Sequence, residues 1–408
     1  MSSPESPAKP RMTPMEVRAT VSLASIYGLR LLGMFVILPV FALYAETLPG
    51  GATHTEIGFA LGAYGLMQAV LQIPFGWASD RIGRKPVIYG GLFVFALGSF
   101  IAGYAPSIGW VILGRCLQGA GAISAAVIAL TADLTRDTVR TRAMAAIGIT
   151  IGATFAASLI VGPVLKGVIG VPGIFVMTGV LALAAIAVVR VAVPDPDHRS
   201  GDSGATPGQL RMALRDPQLL RLNYGTFALH AILMALFTQI PFALRDNGIA
   251  PERHWIVYLP VLVISILLML PFLRRVDQPG HGKRLMNASV AILLASTFGL
   301  ALSLHWLAAL CVALTIFFAA LNLLEAMLPA LVSKYAGAEA RGGAIGVNSS
   351  AQFLGAFVGA TAGGWLAEHA GDTYVFAFCA ALIALWLWAT ATMTAPAPYA
   401  TKLSMGET

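Results

Sequence analysis

The chain has 408 residues, of which 57% are hydrophobic and only 11% charged, and its formal net charge is +7. A soluble domain carries about a quarter charged residues, so this chain has too few to cover a water-facing surface and reads as a membrane protein. The same excess of positive charge in a soluble chain would point to nucleic acid; here the basic residues fall in loops on one side of a membrane, and no nucleic-acid partner is expected.

Helices are the expected spanning elements, because open strands leave backbone groups unpaired in hydrocarbon. In chain order the apolar runs predict twelve of them: 17–45, 55–78, 86–105, 107–133, 140–166, 171–193, 219–244, 254–273, 284–304, 306–333, 341–368 and 372–394. Residues 1–16 form a polar, Pro-rich segment without the pattern of a cleavable signal peptide. Residues 17–193 make one six-helix half and 219–394 a second. Between them, 194–218 is a solvated linker rich in Pro and Asp, with a short interfacial helix at 209–215, and 395–408 is a polar tail. Of the 26 Lys and Arg residues, 21 fall on the side of the N-terminus and three on the other (Lys166, Arg245, Arg253). That bias places both termini in the cytoplasm. Cys116, Cys311 and Cys379 lie far apart in apolar runs, so no disulfide framework or metal site is expected.

The most informative stretch is Gly76-Trp77-Ala78-Ser79-Asp80-Arg81-Ile82-Gly83-Arg84-Lys85-Pro86, a charged turn wedged between spans two and three. So short a loop leaves those helices antiparallel neighbours, and Gly76 and Gly83 omit side chains where backbones approach. The run resembles the signature loop of the major facilitator superfamily, G-x-x-x-D-R-x-G-R-K. Span four carries Arg115-Cys116-Leu117-Gln118-Gly119-Ala120-Gly121, similar to that family's R-x-x-Q-G-x-G. Gly33 to Pro39 in span one is similar to an element of twelve-span drug:proton antiporters. Ser158 to Pro163 in span five is similar to their G-x-x-x-G-P, with Ser158 in place of the first glycine. Met12 to Thr20, Asn322 to Pro329 and Ser350 to Gly355 resemble the YajR-like group of bacterial drug-efflux transporters, whose best-known member continues into a soluble domain that this sequence does not include.

The resemblance implies an all-α fold of two six-helix halves. The function it implies is secondary transport of a small molecule across the bacterial inner membrane, driven by protons and without a cofactor. A monomer is the default expectation. Asp80 is expected to face the N-terminus of span eleven near Gly342 and Gly343, and Arg84 to pair with Asp133. With Gly76, Arg81 and Gly83 these would form a latch favouring the outward-open state; the plainer reading is of ordinary loop charges that fix topology.

Ionisable residues inside spans are costly and are functional candidates. Glu325 is the one carboxylate well inside the hydrocarbon zone, and burial favours the protonated form that a proton carrier needs. A static partner for an arginine or a backbone group is the competing role. Arg30 is a candidate to hold an anionic substrate group, to tune an acid or to organise hydrogen bonds. His230, of a residue type that titrates near neutrality, and Arg115 complete the coupling candidates. Tyr64, Gln68 and Gln72 recur every four residues on span two, as Asn348 and Gln352 do on span eleven. Asn322 shares a face with Glu325. Such polar stripes line a substrate cavity or a helix–helix contact, not lipid. Export of a greasy compound is the primary reading and uptake by proton symport the second. A membrane-embedded enzyme is disfavoured, because the seven histidines are scattered and no Asp/Glu pair or nucleotide motif sits inside a span.

Overall fold

The computed structural model describes residues 12–195, 207–273, 275 and 281–393. The predicted tail and most of the predicted linker lie outside them. The described chain is helical throughout: α1 (Pro14–Phe35), α2 (Leu38–Ala45), α3 (His54–Ile82), α4 (Arg84–Gly103), α5 (Ile108–Ala120), α6 (Ser124–Asp133), α7 (Asp137–Ala192), α8 (Pro207–Arg215), α9 (Pro217–Phe237), α10 (Ile240–Asp246), α11 (Trp255–Leu273), α12 (His281–Ser303), α13 (Leu307–Tyr335), α14 (Gly337–His369) and α15 (Asp372–Ala391).

Local chemistry sets these boundaries. Thr13 accepts from the Glu16 N–H while the Glu16 carboxylate accepts from the Thr13 N–H, a reciprocal cap that Thr53 and Glu56 repeat at the start of α3. Asp216 accepts from the N–H groups of Gln218 and Leu219, so α9 starts two residues ahead of the predicted span. The predicted first span is two helices: α1 stops and α2 restarts ahead of Pro39, which lacks the N–H to continue the ladder. α9 and α10 break in the same way ahead of Pro241. The segments Leu38-Pro39-Val40-Phe41-Ala42-Leu43 and Ile240-Pro241-Phe242-Ala243-Leu244 are therefore equivalent corners of the two halves. α7 joins two predicted spans as arms of one 56-residue element, bent at Gly170 with φ 67°, a value that only glycine adopts at low cost. Gly83, with φ 108°, makes the turn from α3 to α4 in a single residue.

Ten helical stretches among the described residues are long and apolar enough to cross a membrane. α14 is not one of them, because its glycines and its run of Asn348, Ser349, Ser350 and Gln352 dilute its hydropathy. It is instead wedged between α3 and α9. A Cβ on Gly58 of α3 would stand 2.2 Å from the Ala360 carbonyl oxygen, and one on Gly62 or Gly65 would stand 2.9 Å from that of Phe357 or 2.7 Å from that of Phe353. On the other side of α14, Gly355 and Gly359 admit the carbonyls of Phe227 and Ala231, at 2.1 and 2.0 Å from where a Cβ would be. α3 belongs to the first half and α9 to the second, so α14 is packed against both halves.

The face on which α1 and α14 begin is the near face; α3 begins on the far face. At the far face the halves are fastened. Arg245 pairs with Glu46 at 2.8 Å, Lys166 with Glu252 at 3.1 Å, and the Glu368 carboxylate accepts from the Thr55 N–H at 2.8 Å.

Candidate functional site

In the second half, α9, α13 and α14 bring four predicted residues together. His230 is buried, with Nδ1 2.9 Å from the Thr226 carbonyl oxygen. A carbonyl only accepts, so Nδ1 carries a hydrogen and Nε2 is the nitrogen with a lone pair in the neutral ring. Nε2 lies 2.8 Å from Gln352 Nε2 and 3.5 Å from Glu325 Oε2. One turn away, the Asn348 amide donates to Asn223 Oδ1 at 3.1 Å and to Thr226 Oγ1 at 2.8 Å. Asn322 does not share this cluster. It donates to Ser265 of α11 at 3.2 Å, so the stripe expected to point one way divides between two neighbours.

The first half holds two buried arginines. Arg115 Nη1 donates to Gln118 Oε1 at 2.8 Å and to the Gly33 carbonyl at 3.3 Å, and Gln118 passes the chain on to Ser99. Arg30 Nη1 donates to Ser124 Oγ. The Tyr64 ring lies under both cations, 5.0 Å from the Arg115 carbon and 5.9 Å from that of Arg30. Gln68 donates to the Gly119 carbonyl at 2.7 Å. Tyr64 and Gln68 thus face α5, the helix-contact alternative for that stripe, and Gln72 is buried one turn beyond them. Ser124, Thr226 and Asn223 also belong to these clusters, and their hydroxyls and amide are unremarkable in sequence until a partner on another helix is known.

At the near face Arg84 is buried between three acceptors. Its Nε is 3.1 Å from Asp133 Oδ2, and its Nη1 reaches Ser79 Oγ at 2.8 Å and Asp80 Oδ1. Arg81 is exposed, and Gly76 rests against Ala125. The contact expected between Asp80 and the start of α14 is not among those described. Asp80 is held by Arg84 of its own half, and Gln209 of α8 packs on Gly343. The same two helices, α3 and α14, do make a carboxylate-to-helix-start contact, at their opposite ends: Glu368 on Thr55.

A family model described as Major Facilitator Superfamily matches residues 23–323 and 254–407. The chain belongs to this superfamily. It is 43% identical over 397 residues to the inner membrane transport protein YajR of Escherichia coli strain K12, covering 96% of this chain and 87% of that protein. It is 25% identical over 348 residues to the multidrug resistance protein MdtH of Proteus mirabilis strain HI4320, covering 82% and 83%. Among solved structures it resembles a bacterial homologue of the lysosomal transporter Spinster in an inward-facing, occupied conformation. That match has a TM-score of 0.76 at 14% identity and covers 93% of this chain and 96% of the other, a likeness of fold. This superfamily member is a multi-pass transporter of the inner membrane.

Proposed function

We propose that the protein is a proton-coupled secondary active transporter that exports hydrophobic or amphipathic small molecules, a drug:proton antiporter working by alternating access as a monomer. In this reading the helices make twelve crossings with the near face cytoplasmic, as the Lys and Arg distribution favours. The fastening of the far face corresponds to an inward-open state.

The observation that carries the proposal is the pairing of His230 with Glu325 inside the second half. With Nε2 unprotonated, it accepts from the Gln352 amide. A proton on Nε2 turns it into a donor toward the Glu325 carboxylate, and Gln352 must then swing away or present its oxygen. Gln352 lies on α14, the helix clamped against α3 of the other half. Proton state at one pair is thereby tied to the packing between halves. Export rather than uptake is favoured by the span-one and span-five elements and by the likeness to a protein named for multidrug resistance.

The test is transport in proteoliposomes with an imposed pH gradient. An acidic far-face compartment should drive a fluorescent amphiphile toward that side, and collapse of the gradient with a protonophore should stop it. Movement indifferent to the gradient would refute the proposal.

A further inference from the structure

The cluster around Arg30 has chemistry that the proton-coupling pair does not use. Arg30 is 2% exposed, and Nη1 is engaged by Ser124. Its Nε and Nη2 are buried and have no hydrogen-bond partner among the described residues. Those two nitrogens are not an arbitrary pair. They form one complete edge of the guanidinium, the parallel fork that binds both oxygens of a carboxylate or two oxygens of a phosphate or sulfonate. Arginine stays charged in proteins, so neutralising itself is not open to it.

The surroundings leave the charge unanswered. Arg115 is a second buried cation beside the same Tyr64 ring, with its own Nη2 unpartnered. No carboxylate pairs with either arginine among the described residues. Among the residues whose side chains are described, the acids of the first half stand at its ends: Glu16, Asp80 and Asp133 on the near face, Glu46 and Glu56 on the far face. The tyrosine face attracts cations but cannot offset two of them. The Tyr64 hydroxyl is buried and also unpartnered. Buried polar atoms are nearly always satisfied, so a free fork, a free hydroxyl and an excess of positive charge in one place describe the complement of an oxyanion.

We infer that Arg30, through Nε and Nη2, with the Tyr64 hydroxyl, binds the oxyanion head of the transported molecule, making the substrate class amphipathic organic anions. The inference deepens the export proposal and rests on it for the word transported. The binding site itself does not depend on proton coupling. The apolar seam where Phe155 of α7 meets Phe318 of α13 across the two halves offers surface for the tail.

The experiment uses the purified full chain in detergent and three dansyl-labelled eleven-carbon probes that differ only in the head group: carboxylate, primary amide and trimethylammonium. Binding is read from dansyl emission. The carboxylate should bind the unmutated protein at least tenfold more tightly than the amide, and the ammonium more weakly still. Arg30→Gln should bring the carboxylate down to the amide's affinity, Arg30→Lys should restore part of the difference, and Tyr64→Phe should weaken the carboxylate alone. Equal binding of carboxylate and amide to the unmutated protein would overturn the inference, and that comparison needs no variant to fold. Unchanged carboxylate binding in a monodisperse Arg30→Gln protein would overturn it equally. If the carboxylate binds in an Arg30-dependent way but no gradient moves it in liposomes, the site stands and the export reading fails. If a gradient moves the amide or the ammonium and the carboxylate does not bind preferentially, export stands and the anion site fails.

Discussion

Nε2 of His230 stands 3.5 Å from Oε2 of Glu325, with its other ring nitrogen tied to a backbone carbonyl. The imidazole is therefore held in one orientation, and the only freedom left to it is the proton on the nitrogen that faces the carboxylate. Glu325→Gln removes the acceptor and keeps the shape. We expect gradient-driven transport to fall by more than about tenfold, the range of a lost positioned proton group, while substrate binding in detergent survives. His230→Gln removes the ring that faces the carboxylate and should lower gradient-driven transport in the same way. Parallel transport and binding assays on the two variants check this, and normal concentrative transport by Glu325→Gln would remove that residue from the mechanism.

Arg84 separates two acids that the sequence offers as equals. The Asp133 side chain is fully buried against it, whereas that of Asp80 is 32% exposed. Breaking a buried pair that leaves its partner unpaired costs about 3–5 kcal/mol. Without Asp133, Arg84 keeps only the part-exposed Asp80 as counter-charge, so the loss should fall below that range and still be the larger of the two. A half-exposed pair is worth about 1 kcal/mol or less. Asp133→Ala should therefore lower the unfolding temperature in detergent markedly. Asp80→Ala should barely move it, and should instead reduce transport if Asp80 docks on α14 in the other conformation. Equal destabilisation by the two substitutions would contradict this division.

The all-helical membrane character was legible because hydrocarbon leaves so few options and apolar runs of spanning length speak directly from composition; the superfamily fold was legible only through the signature loop Gly76–Lys85 and its companion motifs. The residues His230, Glu325, Asn348 and Gln352 were each visible as polar positions in apolar helices. Their convergence was not visible, because it depends on how α9, α13 and α14 are rotated. Arg84 with Asp133 was readable from the signature loop. The contact expected of Asp80 is not among those described, because Arg84 on its own half takes the carboxylate and Gln209 of α8 covers Gly343, neither of which one-dimensional spacing reveals. The Pro39 and Pro241 corners were readable in principle: the Leu38-Pro39 and Ile240-Pro241 segments share their Phe-Ala-Leu ending, a repeat too short to notice without the break in both helices.

Two glycine-mediated contacts of α14, one to each half, should respond differently to the same added bulk. Gly359 admits the Ala231 backbone within the second half, so Gly359→Val should act on folding, costing about 1–3 kcal/mol or more through forced separation of α9 and α14. Gly58 admits the Ala360 backbone between the halves, so Gly58→Val can be relieved by opening the far face. We expect the first to lower the unfolding temperature. The second should increase labelling by a membrane-impermeant thiol reagent of a cysteine introduced at Phe357, which sits in that interface. Similar labelling in the two variants would argue against a seam that opens there.

Glu368 and Thr55 carry the last expectation. The carboxylate at the end of α14 accepts from a free N–H at the start of α3, where the helix dipole also favours a negative charge. The contact joins the halves at the far face and must break for that face to open. Neutralising the acid with Glu368→Gln keeps a hydrogen-bond acceptor but weakens its hold, so the equilibrium should move toward the far-face-open state. The contact lies at the surface, and the shift should be less than about tenfold. Distance measurements between spin labels at the far ends of α3 and α14 would register a larger population at long separation in the variant. High salt should move the unmutated protein the same way, because screening acts on exposed charges. An unchanged distance distribution in both experiments would mean that the glycine seam alone holds the far face shut.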